Sequence, residues 1–280
     1  MKKTKIILLI VALVIGFGVL VYFGVRHSRG MPFVVEEKEV PILKVSLLKA
    51  DIDLTKGISK EVWKSTPATE LELMHQVMIL PWGSSLVSPI RVRAFHNNQD
   101  VFFHITWNDT TENRNIAMTT FSDACAILFP IDDESQPATL MMGFLGKANI
   151  WQWKASQDKE YWLQEGPKTE AYVDFYYPFE EEELFPISKT VPVSAANDLM
   201  AIRIGTITPK DKQTVEGRGF WDKGSWYVVL KRSFVSVDPE LDATFNRGKK
   251  RLCAFAVWEG ETGDRGGRKS ISDWVELEIE

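Results

Sequence analysis

An antiparallel β-sandwich is the fold class this sequence predicts, and three observations predict it. Short apolar runs with period-two alternation recur along most of the chain, polar turns separate them, and helical periodicity is scarce. The domain starts at Ile42-Leu43-Lys44-Val45, and a short helix is expected over Ser59–Lys64 with Ser59 as its cap. Clean alternation marks strands at Glu70–His75 and Ile90–Phe95, and Val101–Trp107 reads as a third, joined to the second by a turn at Asn97-Asn98-Gln99. Further strands are expected at Asp123–Pro130, Asn149–Ala155, Met200–Gly205, Ser225–Lys231, Cys253–Trp258 and Trp274–Ile279.

The 280 residues, 45% of them hydrophobic, suffice for one large core. A formal net charge of −5 and no long basic block beyond the first residues argue against a nucleic-acid partner. Cys125 and Cys253 each sit inside an apolar strand-like run, where a buried free thiol is the default; a disulfide between neighbouring strands is the alternative in an exported domain. The absence of Cys-x-x-Cys-His excludes covalent c-type haem attachment.

Residues 1–30 read as a membrane or export segment. Ile6–Val25 carries no charge over about twenty residues, a bilayer-spanning length, and lacks a small-residue cleavage site, which favours an uncleaved transmembrane anchor. The lysines before it orient the N-terminus to the cytoplasm and the globular part to the extracytoplasmic side, a periplasm or its equivalent. Residues 31–41 form a tether, and 42–280 the folded domain. Residues 156–196, aromatic and acidic with the run Glu180–Glu183, interrupt the strand pattern as an insertion loop. Its aromatics either pack against the sandwich or present a docking surface.

Enzyme signatures are missing: no Gly-x-Ser-x-Gly, no phosphate-binding loop, no His-Glu-x-x-His and no dinucleotide fingerprint. With four histidines a multi-histidine metal site is hardly available. His104 reads as a satisfied sheet residue, and His75 and His96 as surface residues near strand ends. Asp109 and Asn149 read as turn residues or loop braces.

Two stretches stand out. In the first, Met141-Met142 precede Gly143, and a strand follows in which Trp151 and Trp153 share one face while Ile150 and Gln152 share the other. The second runs Ala254-Phe255-Ala256-Val257-Trp258-Glu259-Gly260, through a Gly-rich turn, to Arg268-Lys269-Ser270-Ile271-Ser272-Asp273-Trp274. Taken singly, Met-Met-Gly is ordinarily core filling before a turn, the lysine ordinarily solvated, and Trp151, Trp153, Trp258 and Trp274 ordinarily core.

Together with Ile105-Thr106-Trp107-Asn108-Asp109 and the strand from Gly224 to Arg232, these motifs resemble, in order over about residues 45 to 280, the haem b-binding gamma subunits of the type II dimethyl sulfoxide reductase family. That group includes the gamma subunits of ethylbenzene dehydrogenase, of selenate and chlorate reductases, and of nitrite oxidoreductase. The resemblance implies a β-sandwich holding one non-covalent haem b between a methionine and a lysine. Met142, directly before Gly143, matches the axial methionine, with Met141 as its neighbour and alternative; Lys269 matches the axial lysine. Trp151, Trp153 and Trp258 would be pocket walls. A thioether favours ferrous iron, lysine coordinates as the neutral amine, and two strong axial ligands leave no open position, so such a site transfers electrons without catalysis of its own.

The implied partners are a molybdenum-containing catalytic subunit, an iron–sulfur beta subunit and, on the external side, a soluble cytochrome. The anchor and the insertion depart from the family pattern. A rival reading from another class is a haem-free, membrane-tethered carbohydrate- or ligand-binding module, with Trp162 or Trp221 stacking on sugar rings. A third is a cofactor-free assembly subunit acting through the insertion.

Overall fold

The computed structural model describes residues 39–78, 80, 83, 85–117, 119–131, 136–164 and 194–280. The expected anchor, most of the tether and most of the insertion lie outside them. Among the described residues no helix is long and apolar enough to cross a membrane.

Strands dominate, as expected. In chain order they are β1 (Ile42–Leu47), β2 (Thr69–Leu71), β3 (Leu73–His75), β4 (Ile90–His96), β5 (Asp100–Asn108), β6 (Ala124–Pro130) and β7 (Ala148–Lys154). The second half holds β8 (Ala196–Ala201), β9 (Thr208–Pro209), β10 (Glu216–Trp221), β11 (Ser225–Ser233), β12 (Lys250–Trp258), β13 (Ser270–Ser272) and β14 (Val275–Ile279). Two helices, α1 (Lys60–Ser65) and α2 (Ala155–Trp162), and 3-10 turns at Leu54–Lys56 and Leu140–Met142 complete the described elements.

Hydrogen bonding runs in the order β10-β11-β5-β4-β1-β14-β12-β6-β7-β8-β9. β12 is the hinge of this path. Its first half, Lys250–Cys253, pairs with β14, and its second, Ala254–Trp258, pairs with β6 and partly with β13. The strands on the two sides of β12 therefore form two sheets that face each other, with side chains of both interdigitating in one core. Phe103 of β5 lies 5.7 Å from Trp151 of β7, and Trp226 of β11 lies 5.0 Å from Trp153 of β7, ring centre to ring centre. Burial of these large rings is the main driving force for closing the two sheets.

The expectation of a purely antiparallel sandwich is corrected at one strand: β1 runs parallel to both β14 and β4. Hairpins enforce antiparallel pairing only between strands adjacent in sequence, whereas β1 meets its neighbours through long connections that permit either direction. Three other expectations shift. The strand expected at Met200–Gly205 lies at Ala196–Ala201, the Glu70–His75 run is split at Glu72, and the insertion opens with α2 rather than a loop. The indole of Trp162 at the end of α2 donates to the Gly217 carbonyl at 2.9 Å, under the Arg218 guanidinium. This aromatic packs on the sheet.

Both cysteines are buried and free. His96, expected at the surface, is fully buried beside Phe234, and its ring nitrogen Nε2 lies 2.7 Å from the Glu280 carbonyl oxygen.

Each sheet also carries an apolar cluster on its outer side. On the first, Phe95, Phe102 and Val229 are covered by Ile52, Leu54, Ile58 and Trp63. On the second, Ala124, Ala126, Ile150, Leu199, Ala201 and Trp258 gather with the half-buried Leu128, Phe144 and Ala256.

Candidate functional site

The outer cluster of the second sheet unites the two stretches singled out above. Strand register explains its composition: Ala126 of β6 lies opposite Ala256 of β12 and Gln152 of β7, and Ala124 lies opposite Trp258. Successive residues of a strand face opposite ways, so Cys125, Ile127, Trp151 and Trp153 enter the core while these alanines face outward. Short side chains at Ala124, Ala126, Ala201 and Ala256 leave the face low, a floor on which a broad flat body can approach the sheet.

Lys269 belongs to this face. It immediately precedes β13, whose Ile271 pairs with Ala256, and its backbone carbonyl accepts from the Gln76 amide at 3.0 Å. Its Nζ lies 4.7 Å from the centre of the Trp258 ring, and among the described residues it has neither a carboxylate partner nor a hydrogen-bond acceptor. Burial lowers its ammonium to about 8, toward the neutral amine. Trp258 is fixed in turn by its indole N–H, which donates to the Gly266 carbonyl at 2.9 Å.

The methionine pair sits in a 3-10 turn rather than in an extended segment. Thr139 caps the turn by accepting from the Met141 amide at 3.3 Å. Gly143 ends it at φ +90°, with its amide bonded to the Leu140 carbonyl at 2.7 Å. Met141 is half-buried, and Phe144 joins the outer apolar cluster directly.

A residue absent from the sequence reading fastens this turn to the lysine strand. Asp273 Oδ1 accepts from the Leu140 amide at 2.9 Å and from the Trp274 amide at 3.0 Å. The Trp274 indole donates to the Pro137 carbonyl at 2.8 Å, a second tie between the same segments. The turn bearing Met141 and Met142 is thus anchored four residues beyond Lys269. The only hint in sequence was the carboxylate inside Ser272-Asp273-Trp274.

The structure brings Lys269, Trp258 and the Met141-Met142 turn to one side of the second sheet. It does not bring Trp151 and Trp153 there; both rings are fully buried in the core between the sheets. Trp151 donates to Asn149 Oδ1 at 2.9 Å, and Trp153 to Asp158 Oδ2 at 3.0 Å. Asn149 is the brace the sequence suggested, holding Asp198, the Leu199 carbonyl and the Ala243 amide besides Trp151. Trp162 and Trp221, candidates for sugar stacking, are half-buried with their indole N–H groups bonded to the carbonyls of Gly217 and Asp109.

A mainly β protein whose methionine-bearing turn is tied to the segment of a lysine without a carboxylate partner among the described residues is the class that fold and site define, and the chain belongs to the ethylbenzene dehydrogenase family, whose model matches residues 60–270. Among curated relatives it is similar to ORF7 of Haloferax mediterranei, named as a candidate heme subunit of a respiratory nitrate reductase. That protein is 27% identical over 77% of this chain, and the match covers 65% of the relative's own length. The chlorate reductase subunit gamma of Ideonella dechloratans is 22% identical over 77% of this chain and 76% of that one. The dimethylsulfide dehydrogenase subunit gamma of Rhodovulum sulfidophilum is 24% identical over 76% of this chain and 71% of that one. These matches bear out the resemblance to the gamma subunits of type II dimethyl sulfoxide reductase family enzymes. Among solved structures, a family 9 carbohydrate-binding module from Caldicellulosiruptor kristjanssonii aligns over 85% of this chain and 93% of that one, at 8% identity and a TM-score of 0.45.

Proposed function

We propose that this chain is the electron-transfer subunit of a molybdenum oxidoreductase complex and holds one haem b between Lys269 and a methionine of the Leu140–Met142 turn, Met142 before Met141. The observation that carries the reading is the half-buried Lys269 amine, over Trp258 and without an acid partner among the described residues, on the same apolar face to which Asp273 ties the methionine turn. A lysine without an acid partner in an apolar setting is costly as an ammonium and well suited as a neutral nitrogen donor. The names of the relatives, one a heme subunit and two gamma subunits, support the same assignment.

When bound, the haem would supply a reversible one-electron couple. The chain's own residues do the rest. Lys269 and the methionine would hold the group and leave no place for a substrate on it, the low alanine floor and Trp258 would keep water from it, and Asp273 and Gly143 set the position of the turn. The partners we infer are a molybdenum-containing catalytic subunit and an iron–sulfur beta subunit, with a soluble cytochrome as external carrier. The N-terminal segment would tether the domain to the membrane on the extracytoplasmic side.

The test is a reduced-minus-oxidised optical spectrum of the purified chain, with a pyridine haemochrome assay on the same sample. A low-spin b-type spectrum that turns high-spin in Lys269→Ala and in Met142→Leu is expected. A folded, colourless chain that takes up no added haem would overturn the reading. Retention of the wild-type spectrum in Met142→Leu but not in Met141→Leu would move the sulfur ligand to Met141.

A further inference from the structure

On the far side of the molecule, the outer face of the first sheet carries a histidine that the fold leaves without partners. His104 of β5 is 4% exposed, and neither of its ring nitrogens has a hydrogen bond among the described residues. The sequence reading of His104 as a satisfied sheet residue is therefore corrected. Its ring is stacked between Trp63 of α1, 4.7 Å away with planes 17° apart, and Tyr227 of β11, 6.2 Å away at 21°. Alternation along β5 places His104 with Phe102 on the outer face, opposite Val101, Phe103 and Ile105, and its cover there is α1, which the sequence could not place over it.

The stack borders a cleft of about 210 Å³ lined also by Lys60, Lys64 and Arg93. Past Arg93 and Tyr227 it continues into a second hollow of about 200 Å³ that reaches Thr106. Register places these residues on one face, since Arg93 lies opposite His104 and, one row along, Arg91 and Tyr227 flank Thr106. Arg93 donates through Nε to the Thr66 carbonyl at 3.2 Å and has no carboxylate partner among the described residues. Lys60 is exposed at the mouth, 5.9 Å from the centre of the Tyr227 ring, with Asp222 at 3.6 Å. Lys64 is paired with Glu61 at 2.8 Å.

We propose that this cleft is a binding site for a small planar carboxylate, separate from the candidate haem face. The anionic end pairs with Arg93, whose guanidinium presents a planar fork that matches a carboxylate. The flat body lies against the Trp63–His104–Tyr227 stack, and a small shift of Trp63 opens an imidazole nitrogen, closed to solvent as the side chains stand, for the polar contact that fixes orientation. A buried imidazole with neither nitrogen satisfied carries an unmet desolvation penalty, which a ligand contact relieves. Burial and the neighbouring Arg93 charge hold the ring neutral, with its pKa near 3, so it offers one donor and one acceptor rather than a second cation. A tetrahedral anion is a poorer fit, because the site offers one unpaired guanidinium among apolar walls and no nest of backbone amides.

The test uses the full chain, labelled with ¹⁵N-histidine, and benzoate as the probe. Saturable calorimetric binding together with movement of the His104 ring resonances, identified by their loss in His104→Phe, is expected. Arg93→Gln should weaken binding about tenfold or more, and Lys60→Ala by a smaller factor. Lys60 is exposed, so its variant tests the site even where the other two fold poorly. No saturable binding up to about 10 mM benzoate would overturn the proposal. So would equal affinity for inorganic phosphate, or unchanged affinity in both Arg93→Gln and Lys60→Ala.

Discussion

The backbone amide of Leu140 donates to the carboxylate of Asp273 at 2.9 Å, across 133 residues of sequence. This bond joins the methionine turn to the strand that begins beside Lys269, and the Trp274 amide shares the same oxygen. Asp273→Ala should cost about 1.5–3 kcal/mol in urea unfolding, the range for a hydrogen bond to a charged group. It should also lower the haem-to-protein ratio. Asp273→Asn should keep both near wild type, because an amide oxygen can accept the same two bonds. Full haem content in Asp273→Ala would show that the turn holds its place without this tie.

Gly143 is constrained twice. Its φ of +90° is unfavourable for any residue with a side chain, and an added Cβ would fall 2.1 Å from Cδ1 of Ile204. Gly143→Ala should therefore destabilise the chain by about 1–3 kcal/mol. Ile204 is 63% exposed, so Ile204→Ala alone should change little. The double variant separates the two causes: it relieves the clash but not the backbone strain, and should recover only part of the loss. Full recovery in urea titrations would mean that the backbone conformation carries no penalty.

Most of the strands were legible because their side chains sort cleanly by face. In β4, Ile90, Val92 and Ala94 point to the core while Arg91 and Arg93 point out, and the alternation survives in the bare sequence. β10, Glu216–Trp221, was not legible, and the reason is three-dimensional. An added Cβ on Gly219 would lie 2.0 Å from the Trp153 ring, so the partner across the core demands a glycine where a strand signal would have had a large residue. β1 was read only as the start of the domain, since nothing local announces a strand that finds parallel neighbours elsewhere in the chain. At the site, Met141, Met142 and Lys269 were visible as motifs, but the tie through Asp273 links residues far apart in sequence. His104 was misread because its apolar cover comes from α1.

Asp123 makes stability fall with rising pH. Burial, and after it the nearby Asp109 charge, push its carboxyl up to about 7, against 3.8 for the ordinary group. The folded chain then holds a proton that the unfolded chain releases, so folding is favoured at low pH and loses ground as pH rises from about 4 to about 7. The slope approaches at most about 1.4 kcal/mol per pH unit for this one proton. Asp123 accepts from the Asn113 amide at 2.7 Å, the Gly260 amide at 2.8 Å and the Trp226 indole at 3.0 Å. Asp123→Asn should flatten the dependence measured by urea midpoints at pH 5 and pH 7, while lowering stability overall through the loss of one acceptor oxygen. An unflattened dependence would assign it to other groups.

Lys210 is buried between Asp198, 3.1 Å from its Nζ, and Asp242, which it also contacts directly. Both acids are further engaged: Thr214 donates to Asp198 and Ser236 to Asp242, each at 2.8 Å, and Arg232 lies 3.6 Å from Asp242. With the pair out of water, removing the cation leaves two carboxylates facing a single buried guanidinium. Lys210→Met should therefore cost about 3–5 kcal/mol. Glu70→Ala, which breaks the exposed pair between Glu70 and Arg91, should cost no more than about 1 kcal/mol. The network also reaches β7, because Asn149 donates to Asp198 at 2.7 Å while accepting the Trp151 indole. Loss of Lys210 should thus loosen the strand whose outer face supports the candidate haem site, and hydrogen exchange at Asn149–Trp151 should quicken with it. Equal unfolding free energies for Lys210→Met and Glu70→Ala would mean that water reaches these carboxylates in the folded chain.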